Sequence, residues 1–571
     1  MKIFKEKMLT IMTFFVYGLA ALLFEFGYCN ESNCINLLWN GTSFGYNFSV
    51  VRIVMYISFF IILFFSRKKI FGEAFEIFKD KKSKRVILYV YSALTVVAFI
   101  IGIFIIRSNP TLIKEISTIL IAILMGYVFL IGVSNNVIKN VIVTIFSIGM
   151  IFSIITDFNH AIDEKKHFST AFNIAFGNFD YVKNPITDKR IESLDHLMKY
   201  NEVDNLLVND YMPSITNDVN KDDVPSTPAE YNCVAYLFPA LGILIARLLG
   251  GSIIDLYIMG RFFNLILYCI LVCIAIKILP CKKNVFATVG LMPISLVLAS
   301  TYSIDGFCIG IVSLFVAYCI KLKYNNDPIN IKQAGILILL FILMLTAKSM
   351  AYIMVAFIVF CLPLKKTLIK YKKYIPIMLV VSLILFVGTF FVAKMVKQSN
   401  ITEDPRAGEN ISVSGQIDYM IHNPLNDLKL GFNHIRDTFG SPNWYLMLQE
   451  DKFFSTTSQY ILIPMLLFIL YVAVTEDDYI FGVKDRVVLS MSFMLTFAMT
   501  STILYLCFSK VGAEHIGGYQ TRYILPILPL VLIGLGNKNL VVVNKKNRNC
   551  KIAMVSGLII MLTIFQSMIK I

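Results

Sequence analysis

Long apolar runs separated by short polar loops fill most of the chain. A run of about 18 or more apolar residues predicts a membrane helix. On that criterion spans are expected at roughly 8–28, 47–65, 86–106, 112–133 and 139–156. The first run, MLTIMTFFVYGLAALLFEFGY, follows the basic start KIFKEK. No small-residue cleavage site follows it, so it reads as a retained helix rather than a signal peptide. Lys and Arg concentrate in cytoplasmic loops and so orient the spans. KIFKEK and SRKKIFGEAFEIFKDKKSKR are basic and read as inside; CNESNCINLLWNGTSFGYN has neither Lys nor Arg and reads as outside. The N-terminus is then cytoplasmic. The span at roughly 139–156 delivers the next segment, FNHAIDEKKHF, to the outer face.

Two later segments need a choice. If YNCVAYLFPALGILIARLLG (231–250) spans the membrane, the following run ends outside in the basic KILPCKKN. If it lies at the outer interface as a re-entrant or amphipathic helix, the basic stretches KILPCKKN, KLKYNNDPINIKQ, LPLKKTLIKYKKY and NKKNRNCK all fall inside. The second solution obeys the charge rule throughout. The segment 332–363 carries one charge near its middle, Lys348, and both its flanks are basic. One helix that long overshoots an apolar layer of about 30 Å. A hairpin with AKSM at its outer tip fits. The expected fold is therefore an all-α polytopic membrane bundle of about 15 transmembrane helices.

Composition agrees. The 571 residues are 57% hydrophobic and 16% charged, with mean hydropathy +0.71, whereas soluble chains carry about a quarter charged residues. A multi-pass protein of the cell membrane is expected. The net charge of +15 belongs to inner loops rather than to nucleic-acid binding. The 11 cysteines form no CxxC pair. Cys29 and Cys34 share one polar loop and can pair if it lies outside.

Under this topology the unusual polar residues gather on the outer side: His160, Asp163, Glu164 and His167 after the fifth span, then Arg261, Ser303 and Asp305, and Lys348. A long loop at 395–455 follows, containing Trp444, and last come Glu514, His515, Gln520, Arg522 and Tyr523. Ionisable groups at a bilayer are costly enough to point to function, although Lys and Arg at helix ends also simply snorkel to the interface. In a helix, residues 160, 163, 164 and 167 share one face. Three readings stay open for them. Two histidines and two acids can hold a divalent ion, but DEKKH lacks the first His of the HExxH zinc motif, so no metal or other cofactor is expected. A carboxylate, Asp163 first and Glu164 second, can act as general base toward an acceptor hydroxyl. Or the cluster is a solvated charged cap. Lys348 and Arg522 at the same surface suit a phosphate leaving group, which favours the base.

Four motifs in order carry a resemblance: Asp163-Glu164-x-x-His167-Phe168, Arg261-x-x-Asn264, Met292-Pro293 followed by Ser303-x-Asp305, and Gln520-x-Arg522-Tyr523-x-x-Pro526. Over roughly 138–540 the chain resembles a bacterial membrane family known as domain of unknown function 2142, itself similar to the GT-C class of membrane glycosyltransferases. It departs from the usual pattern at Ile162, where the family has Pro, and at Thr521, where it has Gly. The resemblance implies a GT-C-like core at 138–540 with external loops 157–252 and 395–455. An extra region of about four helices occupies 1–137, and a cytoplasmic loop with a last helix occupies 541–571. It implies transfer of a sugar from a polyprenyl-phosphate donor to a surface polysaccharide. Asp163 and Glu164 would be catalytic, and His167, Arg261, Asp305, Lys348, Trp444, Gln520, Arg522 and Tyr523 would bind substrate. A polysaccharide polymerase or ligase and a lipid-linked sugar transporter or flippase are the alternatives.

Overall fold

The computed structural model describes residues 2–25, 49–71, 113–156, 161, 163–185, 229, 231–348, 351–372, 411–440, 459–476, 478–536 and 547–569. These residues are helical and contain no strand. Six helices among them are long and apolar enough to cross a membrane, or seven if one bent pair counts as a span. The rest of the expected set of about 15 consists of shorter apolar helices or lies outside the described residues, as do the expected span at 86–106 and the Cys29–Cys34 loop.

The N-terminal region contributes α1 (Lys2–Phe24), α2 (Val50–Phe71) and α3 (Ile113–Gly132). Next come α4 (Val137–Ile155), α5 (Glu164–Ala175), α6 (Leu237–Leu248) and α7 (Ile253–Ile278). The bent pair is α8 (Lys283–Gly290) and α9 (Pro293–Ser300), which meet at 60°. The bend lies at Met292-Pro293. Proline lacks the N–H that would continue α8, yet its fixed φ suits the first turn of a new helix. α10 (Ile304–Asn325) is the most buried span, and α11 (Ile331–Lys348) follows it.

After α11 the chain turns back. Ile353–Cys361 forms a 3-10 helix of 9 residues, longer than is usual for that geometry. Its backbone is held by α16 (Val483–Phe508): Thr500 donates to the Ala351 carbonyl at 3.1 Å and Ser492 to that of Val355 at 3.2 Å. The Ile329 N–H reaches the Thr367 hydroxyl at 3.0 Å, and Lys366 the Asn326 carbonyl at 2.9 Å. Chain entry and exit therefore lie at one end, and Lys348 lies at the other. The shape is a hairpin.

Polar side chains collect at the two ends of the bundle. At one end Lys323 pairs with Asp485 at 2.9 Å, Glu476 accepts the N–H groups of Asn284 (3.0 Å) and Val285 (3.1 Å), and Asn140 meets the Asn549 carbonyl at 3.2 Å. The other end holds the groups around Arg261 and Asp305. α10, with 22 residues, separates them by about 33 Å, close to the apolar thickness of a bilayer. α6 continues a 3-10 turn at Cys233–Tyr236, and the combined apolar helix Cys233–Leu248 is shorter than the roughly 20 residues of a crossing. It packs closely on α7, since a Cβ at Gly242 would meet the Met259 carbonyl carbon at 2.9 Å and the Phe263 Cβ at 3.0 Å.

The N-terminal helices join this second end. Arg52 pairs with Glu25 and Asp255, each at 3.0 Å, and all three are buried. Asp255 also completes a capping box with Ser252 and thereby starts α7. Further round the bundle lie α12 (Leu364–Lys370), α13 (Val413–His422), α14 (Pro424–Ile435), α15 (Gln459–Thr475), α17 (Leu528–Gly534) and α18 (Arg548–Ile569).

Candidate functional site

The acid pair after the fifth span splits at the start of α5. Asp163 precedes the helix with φ 58° and ψ 16°, a left-handed conformation that Asp tolerates better than most residues. Glu164 opens the helix with its side chain buried. Its two oxygens accept from Arg261 Nε and Nη2, both at 2.9 Å, and Oε1 also accepts the Tyr302 N–H at 2.9 Å. Arg261 Nη1 adds the carbonyls of Ser153 (3.0 Å) and Thr156 (2.6 Å). This cluster ties the end of α4, the start of α5, α7 and the turn before α10 to one another. Gly260 makes room for it, because a Cβ there would strike the Tyr302 hydroxyl.

Two of the expected site residues meet each other here. Glu164 was expected as a second base and Arg261 as a substrate contact. Each is the other's partner, with side-chain exposures of 0% and 1%. A base needs reach to the acceptor proton, and this carboxylate is already saturated by three N–H donors.

Asp163 is in a different position. It is partly exposed, and its side chain does not cap its own helix. One turn on, buried His167 lies between two tyrosines: its ring stacks with Tyr231 at 5.8 Å and with Tyr236 at 5.7 Å, and Nδ1 is 2.6 Å from the Tyr236 hydroxyl. Burial lowers the His167 pKa to about 4, against the opposing pull of the Asp305 and Asp163 carboxylates. The imidazole is therefore neutral at pH 7 and can accept or donate a hydrogen bond without carrying charge.

The cations come from three further elements. Lys348, at the tip of the hairpin, makes a short ion pair with Asp305, in the first turn of α10. Arg522 Nε lies 3.4 Å from the other oxygen of the same carboxylate. The Lys348 ammonium also sits 4.3 Å from the Tyr523 ring centre, a cation–π distance. One buried carboxylate thus gathers two cations. Gln520, just before this group, has a buried Oε1 that meets no hydrogen-bond donor among the described residues.

Asp163, His167, Asp305, Lys348 and Arg522 therefore converge. All four charged groups act on the His167 imidazole. Gln520 and Tyr523 adjoin them through the chain. Trp444 and His160 lie outside the described residues. Sequence reasoning passed over Tyr231, Tyr236 and Tyr302. Tyrosines are frequent here, 28 in all, and no spacing marked these three.

Over residues 146–531 the chain matches the family described as predicted membrane protein, DUF2142. The chain belongs to the DUF2142 family. No curated protein and no solved structure shows significant similarity to it. The DUF2142 match begins inside α4 and ends inside α17. It includes every described residue of the cluster and leaves out α1 to α3 and α18.

Proposed function

We propose that this chain is a membrane glycosyltransferase with a GT-C-like bundle and a cytoplasmic N-terminus, working at the extracytoplasmic face of the cell membrane. It moves a sugar from a polyprenyl-phosphate donor to a surface polysaccharide or glycopolymer. The observation that supports this reading best is the Lys348–Asp305–Arg522 cluster at one end of a membrane-spanning bundle, with the partly exposed carboxylate of Asp163 near enough to share His167 as a neighbour.

In this mechanism Asp163 takes the proton of the acceptor hydroxyl as its oxygen attacks the anomeric carbon. The bond from that carbon to the phosphate oxygen breaks, and polyprenyl phosphate leaves. Lys348 and Arg522 stabilise the negative charge on the departing phosphate, which is often the largest single contribution in such catalysis. Asp305 holds both cations in register. Neutral His167 orients Asp163 or the acceptor without competing for the phosphate. Gln520 Oε1 offers an acceptor to a sugar hydroxyl.

The test is transfer from a radiolabelled polyprenyl-phosphate sugar in proteoliposomes. Asp163→Asn should abolish transfer at unchanged protein level, and Lys348→Met should weaken donor use. Normal transfer by Asp163→Asn would overturn the assignment. A ladder of lengthening products would instead indicate a polymerase, and donor movement without covalent product a flippase.

A further inference from the structure

α13, α14 and the turn after them carry an apolar stripe that no described residue covers. Ile417, Ile421, Leu425, Leu428, Phe432, Ile435 and Phe439 recur every three or four residues and are 44%, 71%, 79%, 72%, 71%, 41% and 38% exposed. The spacing continues across the break at Asn423-Pro424, so the two helices present one continuous stripe. Gln416, Leu430, His434 and Thr438 are buried, and this opposite face is bound to the protein. His434 Nε2 is 2.9 Å from the Ser501 hydroxyl, and Gln416 Oε1 accepts the Gly512 N–H at 3.1 Å. Ser501 gives its own proton to the Phe497 carbonyl at 2.8 Å, so His434 must be the donor in the pair.

The anchor sets the level in the membrane. Ser501 lies 18 residues beyond Val483, the start of α16, or about 27 Å along the helix. That is the outer boundary of an apolar layer of about 30 Å. The exposed stripe of α16 itself, Val483, Val487, Met491 and Met494, ends just below this level. The contacts at Ser501 and at Gly512, beyond the end of α16, set α13 and α14 at the end of that helix opposite the Lys323–Asp485 pair. Exposed Asp418, His422 and Arg436 interrupt the helices at other angles, as the polar face of an interfacial helix requires.

We infer that α13 and α14 lie in the interface of the outer leaflet, with this stripe inserted among the lipid acyl chains. The inference does not depend on which reaction the cluster performs. It does supply a coupling. His434 packs edge-on against Tyr519 at 4.6 Å, Tyr519 against Tyr523 at 5.8 Å, and Tyr523 beneath Lys348 at 4.3 Å. The interfacial helix thus connects through three ring contacts to the cation that would meet a lipid-linked phosphate, and holds that cation at headgroup depth.

The test is fluorescence of the full chain in phosphatidylcholine–phosphatidylglycerol vesicles. Tryptophan is introduced singly at Leu425, Leu428 or Phe432, and at Asp418 as control, against the background of the parent's 2 tryptophans. The three stripe positions should emit to the blue of the control and lose most of their intensity to lipids brominated high on the acyl chain, while resisting aqueous iodide. Iodide quenching equal to that at Asp418 would place the stripe in water and overturn the inference. Shielding from both quenchers would mean that another protein covers it, and would overturn the inference equally.

Discussion

Adjacent acids in one dipeptide are expected to fail in opposite ways. Glu164→Gln preserves volume but replaces one oxygen by an NH2 that faces the Arg261 donors, and it removes the carboxylate charge that the buried guanidinium meets. The parent pair has two contacts at 2.9 Å and side-chain exposures of 0% and 1%. Breaking a buried pair of this kind costs about 3–5 kcal/mol, a large part of a typical net stability of about 5–15 kcal/mol. Asp163→Asn, at a partly exposed position that Asn also tolerates with positive φ, should cost no more than about 0.5 kcal/mol. The assay is survival of the monodisperse peak after heating in detergent, run beside the transfer reaction. Glu164→Gln should lose fold and activity together. Asp163→Asn should keep the fold and lose transfer. Adding Arg261→Gln to Glu164→Gln should recover part of the lost stability, because the two groups are in direct contact and their losses are coupled. Two results would refute the reasoning: a Glu164→Gln protein as heat-resistant as the parent, or an Asp163→Asn protein that unfolds.

Other expectations follow from the same geometry. Burial holds the His167 and His434 imidazoles at about 4 against an ordinary 6.5. Both pKa values are depressed, so the unfolded chain binds more protons between these values; stability is full above pH about 6.5 and falls toward pH 4, by up to about 3 kcal/mol for His167 and by less for His434, whose charge solvent screens in part. Acid titration of heat resistance checks this, and His434→Phe should flatten part of the slope. Gly260→Ala should prevent correct packing of Tyr302 and lower the yield of folded protein by far more than Ala at Gly335, where a Cβ meets nothing within 4 Å. Asp305→Ala leaves two buried cations facing each other, so it should destabilise the fold more than Lys348→Met, which keeps an Arg522–Asp305 pair; thermal survival of the two variants gives the order.

The hairpin was legible because a charge in the middle of an apolar run is costly enough to demand an explanation. Lys348 between basic flanks left few topologies, and the bond from Ile329 to Thr367 closes the one expected. The shortness of α6 follows the same logic: loop charge had argued against a crossing before any length was known. The number of spans was less legible. Hydropathy does not distinguish a helix that crosses from one that ends within the layer. Nor does any pattern announce a 3-10 helix of 9 residues at Ile353–Cys361; its carbonyls are held by Thr500 and Ser492, nearly 150 positions away, and such support is invisible to local periodicity.

Asp163 and Glu164 show where sequence reasoning about a site stops. Helical spacing put 160, 163, 164 and 167 on one face, but the helix begins at Glu164, so Asp163 leaves that face with φ 58°. The two acids then point to different neighbours, one to Arg261 and one toward His167. The choice is set by α7, which brings Arg261 to the start of α5 from almost 100 positions further along the chain. The same contact gives Glu164 its value to the site. By joining α4, α5, α7 and the Tyr302 turn, it holds Asp163 on one side and Asp305, three residues after Tyr302, on the other. In the proposed mechanism a base and a phosphate-binding cation pair are useful together only at a fixed separation, and this buried pair would keep it.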